Sequence, residues 1–152
     1  MFSRDPQSLS DVFCVHSGAG LTGIAAFDLN DGLRIDIGHY EHVLVLVANG
    51  GGTTTGVTTI TPKVSDTQSG PEFNLDGTGG LPDARMTFTT ANGDISSRQR
   101  VLRVRGLRRF LNITVSLAAT GTIRPAIYVI GYGPRVSSGV NIETNLSPLT
   151  IT

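Results

Sequence analysis

The sequence contains no tryptophan, a single cysteine and a single lysine among its 152 residues. The lone cysteine, Cys14, excludes an internal disulfide and indicates synthesis in a reducing cytoplasm. We expect its thiol to be buried and inert. Charged residues are also few, at 16%, and the formal net charge is zero. Because weak charge near neutrality promotes association, this composition favours a protein that works in contact with other molecules.

Long apolar runs and helical periods are both missing. Nowhere are there about 18 consecutive apolar residues, so we expect no transmembrane helix and no membrane partner. Residues 1–20 contain one arginine and no continuous apolar segment, so a secretory signal is not expected. No stretch of about twelve residues keeps an apolar period of 3.6 without a glycine or proline, which argues against helices.

An alternation of apolar and polar residues with a period of two runs through the chain instead. Turn sequences rich in glycine, asparagine and aspartate separate the alternating segments. With no helical crossovers, the pattern predicts an all-β, antiparallel sandwich of jelly-roll type with seven or eight strands. We expect one domain over residues 1–152, with a core at about 12–135 and extended arms at 1–11 and 136–152.

Several segments predict which side chains face the core. The alternation over 33–37 places three apolar residues inward and two charged residues outward: Leu33, Ile35 and Ile37 inward, Arg34 and Asp36 outward. The alternation over Leu111–Leu117 places its apolar members on one face: Leu111, Ile113, Val115 and Leu117. The continuous apolar run His42–Ala48 suits a strand that is covered on both faces.

Two further features concern sheet edges and loops. The strand-like segment Val57–Val64 contains Pro62, which lacks an amide donor and therefore predicts a sheet edge or a strand end. Residues 65–84 are predicted to form one long surface loop. Loops above roughly 12–15 residues are uncommon in compact domains unless they have a function.

Patterns for catalysis and cofactor binding are missing. His39 and His42 lack the glutamate of a helical zinc site, and residues three apart on a strand face opposite sides. The sequence has no nucleophile elbow, no phosphate-binding glycine loop and no paired carboxylates. We therefore expect no catalytic, metal-binding or cofactor-binding residues and no enzymatic activity.

Six of the twelve basic residues fall between positions 98 and 109, and all six are arginine. The neutral charge balance and the sequence pI near 6.8 lack the electrostatic signature of a nucleic-acid-binding domain. Arginine is enriched at protein interfaces, where lysine is depleted. A protein interface is therefore favoured, with a solvated strand face and nucleic-acid binding left as alternatives.

The strand pattern separates the arginines into groups. It turns Leu102 and Val104 toward the core, and it places Arg103 and Arg105 on the outer face of a strand. Gly106 then ends the strand, and a turn carries two more arginines. The candidate interface arginines are Arg103, Arg105, Arg108 and Arg109.

The C-terminal arm is uncharged over most of its length but too apolar for a solvated tail. A terminus of this kind docks on its own domain or on a neighbouring molecule, and the sequence leaves both possibilities open, with simple fraying as the alternative. The apolar residues of this arm complete the candidate interface: Ile142, Leu146, Leu149 and Ile151.

One arrangement of strands spans residues 35–134, about two-thirds of the chain. It consists of the hydrophobic segment Ile35–Gly52, the arginine-rich strand Arg100–Arg105, the alternating strand Leu111–Leu117 and the last core strand Thr122–Pro134. In this arrangement the chain resembles the small cement, or decoration, proteins of tailed-bacteriophage capsids. The resemblance implies a jelly-roll-like domain bound to the outside of an icosahedral shell as a homo-oligomer, a trimer or a dimer, with the major capsid protein as partner.

The resulting hypothesis is a structural virion protein that is made in the host bacterial cytoplasm. It would bind the capsid exterior and stabilise the shell by bridging neighbouring major capsid subunits, without direct contact with nucleic acid. The alternatives are another virion sandwich protein, such as a head fibre base or a tail-associated protein, and a carbohydrate-binding jelly-roll module. The absence of tryptophan counts against the last, because sugar platforms usually need exposed aromatic residues.

Overall fold

The computed structural model describes residues 10–30, 33–52, 57–89 and 95–134, and these residues form eleven β-strands and no helix. The strands are β1 (Ser10–Ser17), β2 (Leu21–Thr22), β3 (Ala26–Asp28), β4 (Ile35–Asp36), β5 (Tyr40–Gly52), β6 (Val57–Ser65), β7 (Phe73–Asn74), β8 (Met86–Thr89), β9 (Ile95–Arg103), β10 (Phe110–Leu117) and β11 (Thr122–Pro134). Within these ranges there is no helix long and apolar enough to cross a membrane.

The predicted arms fall almost entirely outside the described residues. Only the last two residues of the N-terminal arm are described, and they begin β1. The whole C-terminal arm 136–152, with its four candidate interface residues, lies outside. The domain boundaries therefore stay a prediction.

The strands form two antiparallel sheets that pack face to face. The first sheet has the order β1-β11-β5-β9, with β2 beside β11. The second sheet has the order β3-β10-β6-β7, with β4 beside β10 and β8 beside β6. Every strand pairing in both sheets is antiparallel.

The connectivity is that of a jelly roll. Without the two-residue strands β2, β4 and β7, eight strands remain, and numbered along the chain they follow the orders 1-8-3-6 and 2-7-4-5 in the two sheets. Most successive strands therefore lie in opposite sheets, as two Greek keys require. The predicted all-β sandwich of jelly-roll type, with seven or eight strands, is confirmed.

The core lies between the two sheets and follows the period-two pattern. In β10 the predicted inward residues are all buried: Leu111, Ile113, Val115 and Leu117. In β5 the alternate residues Val43, Val45 and Val47 are buried opposite them. Because each aliphatic side chain of this kind contributes about 1.5–3 kcal/mol when buried, the core strands dominate the stability of the sandwich.

The predicted alternation over residues 33–37 is wrong at its beginning. Ile35 and Ile37 are buried as predicted, but the Leu33 side chain is 84% exposed and the Arg34 side chain is buried, with 7% exposure. The strand here, β4, covers only Ile35 and Asp36, so strand alternation does not extend back to residue 33. Arg34 turns inward because polar groups of the following loop bind it there.

The prediction that Pro62 marks an edge or a strand end is also wrong. Pro62 lies inside β6, which is paired with β10 on one side and with β7 and β8 on the other. The β8 pairing stops at Ile60 and the β7 pairing starts at Lys63. Pro62 thus occupies a gap in which no ladder hydrogen bond needs its missing amide hydrogen, while its carbonyl oxygen accepts from the amide of Leu75.

A tyrosine on β5 contacts the edge strand β1 across a glycine of β11, the strand between them. The Tyr40 ring lies against Gly131, where an added Cβ would come within 2.6 Å of the ring. The Tyr40 hydroxyl donates to Asp11 Oδ2 at 2.5 Å, and its ring meets Phe13 edge-on. Burial, followed by the Asp11 carboxylate, raises the pKa of Tyr40 to about 12. The side chain therefore links β5 to β1 over the intervening β11.

We expect Gly131→Ala to lower the free energy of unfolding by about 1–3 kcal/mol, because the new methyl group would overlap the Tyr40 ring. Urea denaturation measures the loss. In a Tyr40→Ala background the same glycine substitution should cost much less, since the clashing ring is gone. An equal loss of unfolding free energy in both backgrounds would show that the Tyr40 ring does not require a glycine at position 131.

Candidate functional site

The four main strands of the first sheet expose an apolar row on the face that points away from the second sheet. Val12, Ile130, Leu44 and Val101 stand side by side in register on β1, β11, β5 and β9. Val12 and Val101, at the two ends of the row, are 63% and 56% exposed, and the other two are half-buried. We call this side of the sheet the outer face.

The neighbouring rows continue the outer face with aromatic and small side chains. On one side of the apolar row, the His42 and Tyr132 rings are stacked with centroids 5.4 Å apart, and Arg103 pairs in register with His42. On the other side lies a row with Cys14 at one end, whose side chain is exposed. The expectation of a buried thiol is wrong, because this position of the edge strand β1 points outward.

The outer face is not covered in the part of the chain that the structure describes. The prediction that His42–Ala48 forms a strand covered on both faces is therefore right only for the inner face. Leu44 and Leu46 are half-buried, shielded in part by the side chains beside them rather than by another layer. An apolar strip on an exposed sheet is typical of a surface that contacts another molecule.

The charges on the outer face all have one sign. Arg103 stands near one end of the sheet, and Arg124 stands near the other, on the outward side of β11. No aspartate or glutamate occupies an outward position of β1, β5, β9 or β11 among the residues described. The outer face thus combines an apolar centre with arginines at its two ends.

The structure divides the four candidate arginines into two pairs. Arg103 and Arg105 are exposed, and neither forms an ion pair with any described residue. Strand β9 ends at Arg103, so Arg105 lies in the following turn and not on the strand as predicted. The predicted burial of Leu102 and Val104 is confirmed.

Arg108 and Arg109 are held by contacts within the chain. Arg108 pairs with Asp66, and its guanidinium carbon lies 3.9 Å from the centre of the Phe73 ring. Arg109 donates to Asp36 Oδ2 from Nη2 at 2.7 Å and from Nε at 3.0 Å. These two hydrogen bonds to one carboxylate oxygen hold the pKa of Asp36 below its usual value. These two arginines fasten the turn before β10 to its own domain.

The other two arginines of the cluster lie at the open edge of the first sheet. Arg98 and Arg100 alternate with the outward residues of β9 and are exposed. The Arg98 guanidinium lies 5.4 Å from the centre of the Phe88 ring on β8. Charged side chains along an edge strand discourage the pairing of another strand.

A buried arginine that sequence reasoning missed organises the long loop. Arg34 Nη1 donates to Ser65 Oγ at 3.0 Å, to the Thr67 carbonyl at 3.1 Å and to the Gly70 carbonyl at 2.8 Å. Its Nε lies 3.1 Å from Glu72 Oε1. The only sequence signal was a charge next to buried isoleucines, which the strand alternation assigned to solvent.

The same charge network continues across the second sheet. Glu72 accepts from Asn112 Nδ2 at 2.6 Å and lies 3.5 Å from Lys63 Nζ. Lys63 in turn donates to Asp28 at 3.0 Å, which also accepts from the Thr114 hydroxyl at 2.5 Å. The Thr114 hydrogen bond, with Lys63 second among the favourable contacts, lowers the pKa of Asp28.

The loop 65–84 is therefore more ordered than a simple surface connection. It contains the short strand β7 and an isolated bridge between Asp76 and Asp83. Leu75 and the adjoining Ala84 are buried in the core, and the Ala84 amide donates to the Leu75 carbonyl at 2.8 Å. The prediction of a long loop is right in extent, but part of it packs inside the sandwich.

No protein-family model matches this chain, and no curated protein matches it. The relation to cement proteins therefore stays a prediction.

Solved structures give weak overall likenesses. A structure from the report "Bacillus endospore appendages form a novel family of disulfide-linked pili" is 16% identical, with 89% of this chain and 99% of that chain covered and a TM-score of 0.39. The PBSX exported protein XepA is 10% identical, with 91% and 42% covered and a TM-score of 0.40. The Tobacco streak virus coat protein dimer is 10% identical, with 87% and 92% covered and a TM-score of 0.37. At such scores the likenesses carry no inference about function.

Replacing Arg34 by methionine should lower the free energy of unfolding by about 3 kcal/mol, because it leaves the Glu72 carboxylate without its main buried cation. Urea denaturation checks the loss, and hydrogen exchange should show faster exchange over residues 66–72. Arg85→Met is the matched control, since Arg85 pairs with Asp83 at the surface, and it should leave the midpoint nearly unchanged. Equal losses in the two variants would contradict the role of Arg34.

Asp28→Asn should destabilise the protein at neutral pH but not in acid. The folded-state pKa of Asp28 lies below its usual value of 3.8, so the carboxylate stabilises the fold above that value and the contribution disappears as the pH falls through the folded-state pKa. The gap in urea midpoint between wild type and variant should narrow below pH 3.8. Thr114→Val removes the hydrogen bond that lowers the pKa of Asp28 most, so it should weaken this pH dependence. A difference in urea midpoint that stays constant with pH would contradict the stabilising role of the Asp28 carboxylate.

Proposed function

We propose that the protein is a structural virion protein that binds the outer surface of an icosahedral bacteriophage capsid and stabilises it by bridging neighbouring major capsid subunits. The observation that carries the proposal is the outer face of the first sheet. It is apolar along the row from Val12 to Val101, it has Arg103 and Arg124 at its ends, and no carboxylate lies on its described outward positions. The role is structural, without catalysis.

The chemistry of this face specifies the kind of surface that would bind it. Burial of the apolar row would supply free energy in proportion to the area removed from water. The arginines would orient the partner by pairing with carboxylates, since guanidinium groups bind carboxylates in a fixed bidentate geometry. The partner surface on the major capsid protein is therefore proposed to be apolar at its centre and acidic at its rim.

Bridging requires more than one contact per particle. A homo-oligomer, a trimer or a dimer, would present several outer faces to the shell, and binding of the first would raise the effective concentration of the others. The apolar residues of the C-terminal arm are proposed as a second contact with a neighbouring subunit: Ile142, Leu146, Leu149 and Ile151. Many weak contacts would then hold adjacent capsid subunits together on the virion exterior.

The four candidate arginines have two different roles in this proposal. Arg103 and Arg105 are the groups assigned to the capsid, because they are exposed and make no ion pair with a described residue. Arg108 and Arg109 position the turn through Asp66 and Asp36. Substitution of Arg108 or Arg109 would disturb the turn before β10, and it would affect capsid binding through that disturbance.

The double variant Arg103→Glu with Val101→Asp should reduce occupancy on purified shells of the encoding phage by at least about tenfold. It replaces an arginine and an apolar side chain of the contact by two carboxylates, which would repel the acidic rim proposed for the capsid surface. Occupancy is measured by sedimentation with shells, and size-exclusion with light scattering gives the free oligomer. Arg85→Glu, which lies on the second-sheet side, is the control and should bind normally.

Three outcomes would overturn the proposal. One is a free monomer that ignores shells, and another is a double variant that occupies and heat-protects the shells as well as wild type. The third is imaging that places the protein on the tail or at a fibre base, which would support a different virion position.

A further inference from the structure

Strand β1 forms one edge of the first sheet, and one of its two sides is open. It pairs with β11, and no described strand lies on its other side. Successive residues of an antiparallel strand direct their amide and carbonyl groups alternately to the two sides. About half of the eight residues of β1 therefore direct these groups to the open side. Such an edge is a template for the pairing of another strand.

The other edges of the two sheets are protected against pairing. On β9, Arg98 and Arg100 lie on the inward side of the strand, where Arg98 reaches Phe88 of the second sheet. Inward-pointing charges and short strands are both features that block an edge. The edge strands of the second sheet have only two to four residues. Strand β1 is longer and contains no lysine, arginine or proline, so it is the most open edge in the part of the chain that the structure describes.

A bulge limits how much of β1 can pair regularly. The register with β11 shifts between Cys14 and His16, and a bulge of this kind bends the strand and disrupts the ladder locally. The regular part of the strand is Ser10–Cys14. A partner strand would thus gain only a few hydrogen bonds, which predicts a reversible association.

The distribution of charge favours a second copy of this chain as the partner. Apart from Asp11, β1 carries no carboxylate, ammonium or guanidinium group. The Asp11 carboxylate accepts from Tyr40, whose ring lies over Gly131 of β11, so it is held toward its own sheet and away from the open side. The outward side chains of the regular part are uncharged: Ser10, Val12 and Cys14. Two β1 strands can therefore pair without opposed charges, whereas two β9 strands would bring their arginines together, which is destabilising.

We propose that the protein forms a two-fold dimer in which β1 pairs antiparallel with β1 of a second copy, with the symmetry axis at Val12. An axis perpendicular to the sheet joins the two first sheets into one sheet, with four main strands from each copy and both outer faces on the same side. The two apolar rows then meet at Val12, whose side chain is 63% exposed in the single chain. The dimer goes beyond the proposed capsid role and does not depend on it.

Size-exclusion chromatography with light scattering tests the dimer. At about 100 μM the protein should have a mass near twice the 16.0 kDa of one chain, and dilution should shift it toward the monomer. Cys14→Lys should raise the dissociation constant of the dimer at least about tenfold, because it puts a charge on the paired edge.

Gln99→Lys is the matched control for Cys14→Lys. Gln99 is exposed on β9, at the other end of the row that begins with Cys14. Both variants add the same charge to the outer face, but only Cys14→Lys adds it to the β1 edge. Gln99→Lys should therefore leave the dissociation constant unchanged.

Cross-linking through the single cysteine locates the contact. In a pair centred on Val12 the two Cys14 residues lie four positions apart along the strands, roughly 14 Å, so a bismaleimide that spans this distance should link the two copies. In a Cys14→Ser, Gln99→Cys variant the same reagent should leave single chains on a denaturing gel. The two β9 strands would be more than about 30 Å apart in the proposed dimer.

Several results would overturn the dimer. A monomer at about 100 μM, a trimer or an open-ended polymer would each mean that β1 does not pair with a second copy. Equal dissociation constants for wild type and Cys14→Lys, or equal cross-linking from positions 14 and 99, would place the contact elsewhere. All of these measurements are made without shells, so their outcome is separate from that of the capsid-binding experiment.

Discussion

The pairing of the buried Arg34 with Glu72 is the interaction on which the long loop and its attachment to the second sheet depend. One guanidinium group binds the end of β6, the first turn of the long loop and the acid that precedes β7. Such a buried cation is tolerated only because each contact compensates for lost hydration. Through Glu72 and Lys63 the network reaches the strands of the second sheet, so the loop and the sheet form one unit.

The two sheets present different outer surfaces for a structural reason. A jelly roll buries one face of each sheet and leaves the other to solvent or to partners. The first sheet has long strands, and their outward side chains form an outer face with an apolar row, which suits a broad protein contact. The second sheet has short edge strands, β7 and β8, and carries the long loop along that edge instead. Substitutions in one region should therefore have little effect on the other.

Much of the fold could be predicted because burial imposes a period of two on strands. The inward residues of β5 and β10 followed that rule, and Leu102 and Arg103 took opposite sides as expected. The rule failed where it was extended beyond a strand, as at Leu33 and Arg34. It also could not show that β7 and β8 leave a gap at Pro62, since that depends on partners far away in the sequence.

The sequence by itself determined the fold class, the core strands and the exposure of Arg103 and Arg105, because these follow from local alternation and turn residues. Only the tertiary structure decided which charges are satisfied within the chain. Arg108 meets Asp66 and Arg109 meets Asp36 across the fold, and Arg34 becomes buried. Pairings of this kind form between residues tens of positions apart, and alternation along one strand contains no information about them.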